Sequence, residues 1–227
     1  MRNGRPKNAA ITLRSVIDVE FYVDPSCPWA WITSRWLLEV APQRELKISW
    51  PSYCLEIRDD YDVAATVPVN YRQQALEGHA LSHRMLRIFE AARAEAGEDA
   101  VDRLYTEWGR RRFSDQGPDA DELLRETVAA AGLDLRMMDA ARDKKWDGPI
   151  CESMEIAYSF GGPKTQTPTI VVRTDPPRGF KGPVMAPAPT GPDAVRLWDA
   201  ITVLSEHDGF FEITRPRTKL PRDHITT

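Results

Sequence analysis

A largely apolar run from Val16 to Val23 stops at Asp24-Pro25-Ser26-Cys27-Pro28-Trp29-Ala30, and helical periodicity begins directly behind it. The run reads as a strand. Pro28 suits the first position of a helix, where its fixed φ is already helical and its missing N–H would have had no partner. Cys27 therefore falls at a helix N-terminus, where unpaired N–H groups and the helix dipole favour an anion. Thiols placed this way drop from about 8.5 to roughly 3.5–7.5, and the thiolate is the nucleophile. The junction thus predicts a reactive Cys27, set against the plainer alternative of a buried cysteine that only packs.

The next strand signal runs from Leu46 to Leu55, with Leu46, Ile48, Trp50 and Tyr53 apolar and Pro51 pointing to an edge or a bulge. Strand, helix, strand implies a right-handed crossover and a parallel pair whose strands end on the same side of the sheet. Cys54 would then share a side with Cys27, which makes it a candidate resolving thiol, although it fits better as a small core residue. From residue 63 to 147 the pattern turns helical. Stripes recur at Leu81, Met85, Ile88, Phe89 and Ala92, at Val101, Leu104, Tyr105 and Trp108, and at Leu123, Leu124 and Val128 behind Pro118 and Asp119, with a shorter fourth over Leu135 to Ala141. These predict a helical insertion over 63–147 that splits a domain made of 16–62 and 148–214. Residues 1–15 read as a flexible N-terminus and 215–227 as a C-terminal tail. A helix over Ile150 to Phe160 ends at Gly161-Gly162. The β-branched run Thr169-Ile170-Val171-Val172 follows Thr167-Pro168, Phe180 to Met185 completes a hairpin, and Thr190 to Asp193 caps a last helix with the stripe Ala194, Leu197, Trp198, Ile201 and Leu204.

Composition removes several functions. Net charge is −4 with scattered basic residues, so no nucleic-acid footprint is present, and Arg110-Arg111-Arg112 reads as a solvated helix end. No apolar run reaches the roughly 18 residues of a membrane span, and Met1 to Arg14 lacks a secretory apolar region. Three widely spaced cysteines make neither a disulfide framework nor a zinc site, which favours reduced thiols in the cytoplasm. His79 and His83 have the spacing of two ligands on one helix face, but no third ligand is evident, so they read as solvated or capping and no metal is expected.

A strand, then Asp24-Pro25-Ser26-Cys27-Pro28-Trp29, then a helix resembles the active-site start of DsbA-type thioredoxin-fold oxidoreductases. Trp31-Ile32-Thr33-Ser34-Arg35-Trp36-Leu37-Leu38-Glu39-Val40 is similar, almost residue for residue, to the actinobacterial branch that contains the mycothiol-dependent nitroreductases. Gly182-Pro183-Val184, Leu197-Trp198-Asp199-Ala200 and Phe210-Phe211-Glu212 resemble it too. The resemblance implies an α/β thioredoxin fold, DsbA-like, with a helical insertion. It also implies that Thr167-Pro168-Thr169 is the cis-proline motif facing Cys27, where the Thr167 backbone pairs with a thiol substrate. Tyr71 matches a pocket tyrosine of the branch, Trp29 is either an aromatic wall or a core residue on the stripe Trp29, Ile32, Trp36 and Val40, and Asp59 stands where the branch has a pocket asparagine. The family carries Cys-Pro-Trp-Cys, but here position 30 is Ala30, so no disulfide can form within the motif. A lone thiolate must leave its oxidised state as a mixed disulfide or a sulfenic acid that an outside thiol resolves. The resulting expectation is a cytoplasmic reductase of a small organic substrate, such as a nitroaromatic or quinone, that uses Cys27 and mycothiol or another low-molecular-weight thiol. No nucleic-acid or membrane partner is expected, and a homodimer is left open. The alternative is a thiol-cofactor-binding transferase or isomerase of the kappa-class glutathione transferase type.

Overall fold

The computed structural model describes residues 16–58, 63, 67–113, 120–163 and 165–224. Segment 1–15, Asp59 and the helix-start pair Pro118 and Asp119 lie outside the described residues. Strands β1 (Ile17–Tyr22), β2 (Leu46–Ser49), β3 (Thr169–Val172) and β4 (Arg178–Lys181) form one sheet in the order β2-β1-β3-β4. The pair β1 and β2 is parallel, and β3 runs antiparallel to both β1 and β4. Every residue of central β3 is buried, as its unbroken apolar run requires.

β2 is an edge strand, but it ends at Ser49 and not at Leu55. Pro51 has no N–H to give a ladder. The chain still follows β1 by one isolated bridge: Val23 N donates to Pro51 O at 3.0 Å, and Tyr53 N donates to Val23 O at 2.9 Å. The hairpin also shifts. β4 covers Arg178–Lys181: Gly182 N still donates in register to Pro168 O, but Pro168 has no N–H to return and Gly182 turns to φ +95°.

Helix α1 (Pro28–Arg44) makes the crossover between β1 and β2. It packs on α6 (Gly191–Ser205) through Trp36 and Trp198, and Trp36 Nε1 donates to Ala194 O at 2.9 Å. Thr190 occupies the cap position of α6, yet its side chain makes no capping bond. Glu39 of α1 accepts from Gly191 N instead, at 3.0 Å. α5 (Asp147–Gly161) packs on β4, where a Cβ on Gly179 would come within 2.6 Å of Phe160.

The three helical stripes of the insertion are buried in α2 (Arg72–Ala96), α3 (Glu98–Arg112) and α4 (Ala120–Ala130), whereas the fourth is a 3-10 stretch, Leu135–Arg142. The insertion sits directly on α1. A Cβ on Gly109 would meet the Trp31 ring at 2.1 Å, and Trp108 Nε1 donates to Pro25 O at 2.8 Å. This second cover changes the buried stripe of α1 to Trp31, Ile32, Trp36, Leu37 and Val40, and leaves Trp29 half-buried. It also corrects the reading of the arginine run: Arg110 is exposed, but Arg112 turns inward, its guanidinium 3.1 Å from where a Cβ on Gly78 would stand. After α6 the chain runs without regular structure over 206–220. It then returns to pack a 3-10 turn, Pro221–His224, against α1.

Candidate active site

Cys27 is the N-cap of α1, with Pro28 at the first helical position. Ala30 N donates to its Sγ at 3.5 Å, and the thiol itself points to Thr167 O at 3.7 Å. β1 and β3 bring these two loops together. The Thr167 hydroxyl donates to Tyr22 O at 3.0 Å and accepts from Asp24 N at 3.2 Å, and the Thr167–Pro168 peptide is cis. Tyr53 adds a further tie by donating its hydroxyl to Thr165 O at 2.6 Å. The chain thus places Cys27, Pro28, Ala30, Thr167 and Pro168 in one cluster.

Beneath it lies a residue that the motif contains but whose role its sequence does not announce. Asp24 is fully buried and accepts from Ser26 N, Ser26 Oγ, Ser82 Oγ and Leu55 N, so a single carboxylate ties the Cys27 loop to α2 and to the Cys54 segment. An Asp two residues before Ser26 is the pattern of an Asx-turn, which could have flagged the first of these bonds. Nothing in the sequence points to Ser82.

Two opposed influences act on the Cys27 thiol. Backbone N–H groups at Ala30 and Trp29 and the charge of Arg217 favour the thiolate, whereas burial and the Asp24 carboxylate oppose it. Burial is the largest, and it pushes the thiol up to about 12. The low value expected from the helix N-terminus is therefore overturned in this closed arrangement, because Cys27 is only 8% exposed and a thiolate there would lose its water. Cys54 is completely buried, its N–H donates to Met154 Sδ at 3.4 Å, and burial likewise raises its thiol. Cys151 is exposed and lines a hollow of about 290 Å³ with Arg58, Met154 and Glu155, a hollow that does not include Cys27.

Trp29 is covered on its outer side by Arg217, whose guanidinium carbon lies 5.1 Å from the ring centre. Tyr71 ends the 3-10 turn Val69–Tyr71 that leads into α2 and is 36% exposed. The two histidines diverge. His83 bridges Glu56 at 3.0 Å and Asp147 at 2.7 Å, while His79 is buried and not solvated, and burial holds its imidazole below the usual range. Among the described residues no group of three His, Cys, Asp or Glu side chains is gathered as a metal would need.

Known proteins resemble this chain in family and fold. The family model described as mycothiol-dependent nitroreductase Rv2466c matches residues 26–215. An uncharacterized protein of Mycobacterium tuberculosis, Rv2286c, is 25% identical over 203 residues, which cover 88% of this chain and 82% of the relative. Among solved structures, a probable DsbA oxidoreductase of Streptomyces coelicolor superposes with a TM-score of 0.55 at 18% identity, covering 90% of this chain and 93% of that one. A protein disulfide isomerase assigned from Nitrosomonas europaea gives 0.54 at 12%, covering 85% of this chain and 100% of that one. A 2-hydroxychromene-2-carboxylate isomerase gives 0.51 at 18%, covering 82% and 94%. These likenesses show a thioredoxin-type α/β fold.

Proposed function

The chain belongs to the family of the mycothiol-dependent nitroreductase Rv2466c, and from that premise we propose a reductase that works through one cysteine. Cys27 is the nucleophile, Thr167 and Pro168 are the thiol-binding backbone, and Trp29 and Tyr71 are the walls for a flat nitroaromatic or quinone. One observation carries this reading: the Cys27 sulfur sits at a helix N-terminus against Thr167 O, with Ala30 one turn further on.

The residues fit an external thiol. The motif has one sulfur, and Cys54 is sealed in the core. A low-molecular-weight thiol such as mycothiol supplies two electrons per cycle, consumed in pairs and released as its disulfide. On the protein's side, the Cys27 thiolate is held by the Ala30 and Trp29 N–H groups, and the oxidised state rests on Cys27 as a mixed disulfide. Ala30 leaves no internal thiol to compete for that bond, and the extended Thr167 backbone lies alongside it. No metal takes part in this scheme. The cytoplasm is the setting proposed, supported by three free cysteines and by the dependence of the family on a small thiol.

The test is mass spectrometry of the protein after exposure to an oxidised small thiol. An adduct on Cys27 that excess reduced thiol removes is the expected result, together with loss of turnover in Cys27→Ser. A second reading is favoured by Ala30 and by the burial that keeps Cys27 protonated: a transferase or isomerase that binds the thiol without net redox chemistry. Turnover of a nitroaromatic unchanged by Cys27→Ser decides for that alternative. A Cys27–Cys54 disulfide in peptide maps of oxidised protein overturns the single-cysteine mechanism.

A further inference from the structure

Beside the Cys27 site stand two cations that no carboxylate holds in a direct ion pair among the described residues. Most arginines of this chain are held by carboxylates, as Arg44 is by Asp199, Arg87 by Asp147, Arg173 by Glu20 and Arg178 by Asp208. Among the described residues, Arg217 and Lys181 make no ion pair. The charge of Arg217 reaches the Cys27 sulfur, and Lys181 in turn feels the charge of Arg217. Arg217 lies on the irregular strap 206–220, which the turn Pro221–His224 ties back to α1, and its guanidinium faces the ring of Trp29, two residues from Cys27. Lys181 ends β4, and its neighbour Gly182 donates its N–H at 2.8 Å to Pro168 O, beside the Thr167 carbonyl that faces Sγ.

We propose that Arg217 and Lys181 form an anion-recognition pair at the mouth of the Cys27 site, so that the substrate carries a carboxylate or similar oxyanion beside its reacting atom. The proposal rests on the reading of Cys27 as the nucleophile and adds the charge of what it attacks. Arg217 and Lys181 repel each other, Glu212 offsets that only without a direct ion pair, and an anion between the two cations relieves the repulsion. The local balance agrees: the Lys181 ammonium is disfavoured by burial and by the charges of Arg217 and Arg58, with Glu212 of the strap opposing them. Around Cys27 itself, Arg217 favours the thiolate, and the buried Asp24 disfavours it from below.

Two alkylating reagents of equal size test it. Iodoacetate is an anion and iodoacetamide is neutral, and any change in thiolate content affects both rates alike, so their ratio reads recognition of the negative charge alone. At Cys27, followed by peptide mass spectrometry in the intact protein, the iodoacetate-to-iodoacetamide ratio is expected to exceed that of free cysteine by roughly threefold to tenfold, the effect of two exposed charges acting together. Raising ionic strength tenfold should shrink the excess, since exposed charges are screened. Arg217→Gln with Lys181→Gln should return the ratio to that of free cysteine, while Arg217→Lys should keep part of it. A ratio equal to that of free cysteine, or one unmoved by the double substitution, overturns the proposal. Failure of Cys27 to react with either reagent overturns it too, because the pair would then guard no accessible sulfur. The reductase reading fails separately, through turnover that survives Cys27→Ser.

Discussion

Asp24→Asn separates stability from reactivity at this site, because the two should move in opposite directions. Asp24 Oδ1 accepts three hydrogen bonds, from Ser26 N, Ser26 Oγ and Ser82 Oγ, and Oδ2 accepts one from Leu55 N. An asparagine with its oxygen at the Oδ1 position keeps the three. Its amide nitrogen then faces the Leu55 N–H, so a buried donor is left unsatisfied at about 1–3 kcal/mol, and the three retained bonds lose their charge assistance. A total loss of roughly 2–4 kcal/mol follows, which at ~2–4 °C per kcal/mol for a domain of this size lowers Tm by roughly 5–15 °C. Reactivity goes the other way. The Asp24 charge disfavours the Cys27 thiolate, so its removal should lower the thiol and speed iodoacetamide alkylation of Cys27 at pH 8 by roughly threefold to tenfold. Urea denaturation and time-resolved peptide mass spectrometry measure the two effects. A variant as stable as the parent, or one whose Cys27 alkylates more slowly, would refute the account of Asp24 as a buried tie that also restrains the nucleophile.

Gly109→Ala should cost at least ~1–3 kcal/mol in thermal denaturation, since its Cβ would stand 2.1 Å from the Trp31 ring in a closely packed interface; an unchanged Tm contradicts that close approach. Burial raises both the Cys27 and Cys54 thiols, so the fold retains protons that the unfolded chain releases. The stabilisation is complete below about pH 8.5 and is lost as pH rises toward about 12, by up to ~1.4 kcal/mol per pH unit per thiol, and Cys27→Ser should flatten the decline. Ala30→Cys should form an internal disulfide with Cys27 under mild oxidation and accumulate less mixed disulfide than the parent; peptide mapping that finds no such bond means that the helix start lacks the required Cα spacing of roughly 4.4–6.8 Å.

The elements that set the site were legible because local chemistry dictates them. Pro28 suits the first position of a helix, the apolar run before Asp24 suits a strand, and the β-branched Thr169-Ile170-Val171-Val172 suits a strand buried on both faces. What escaped was decided by partners distant in sequence. Trp29 leaves the buried stripe of α1 because α3, 80 residues away, covers Trp31 through Gly109. The Thr190 cap yields to Glu39 because α1 and α6 lie side by side. Arg217 and Lys181 carry no signal at all, since a surface cation acquires meaning only from the groups that the fold brings near it.

The reactivity of Cys27 is a balance that the chain sets with its own side chains. The helix N-terminus contributes the Ala30 and Trp29 N–H groups to a thiol at position 27. Burial overrides them, since Cys27 is only 8% exposed. Asp24 withholds the thiolate and Arg217 restores it. A thiol held protonated in this way is slow to oxidise. Combining Asp24→Asn with Arg217→Gln therefore isolates what remains, which is burial against the helix N-terminus. Cys27 alkylation in that double variant should stay above the parent rate at pH 8, since Asp24 acts on the thiol more strongly than Arg217 does. A rate at or below the parent would show that Arg217 acts at least as strongly as Asp24 and would refute this ordering.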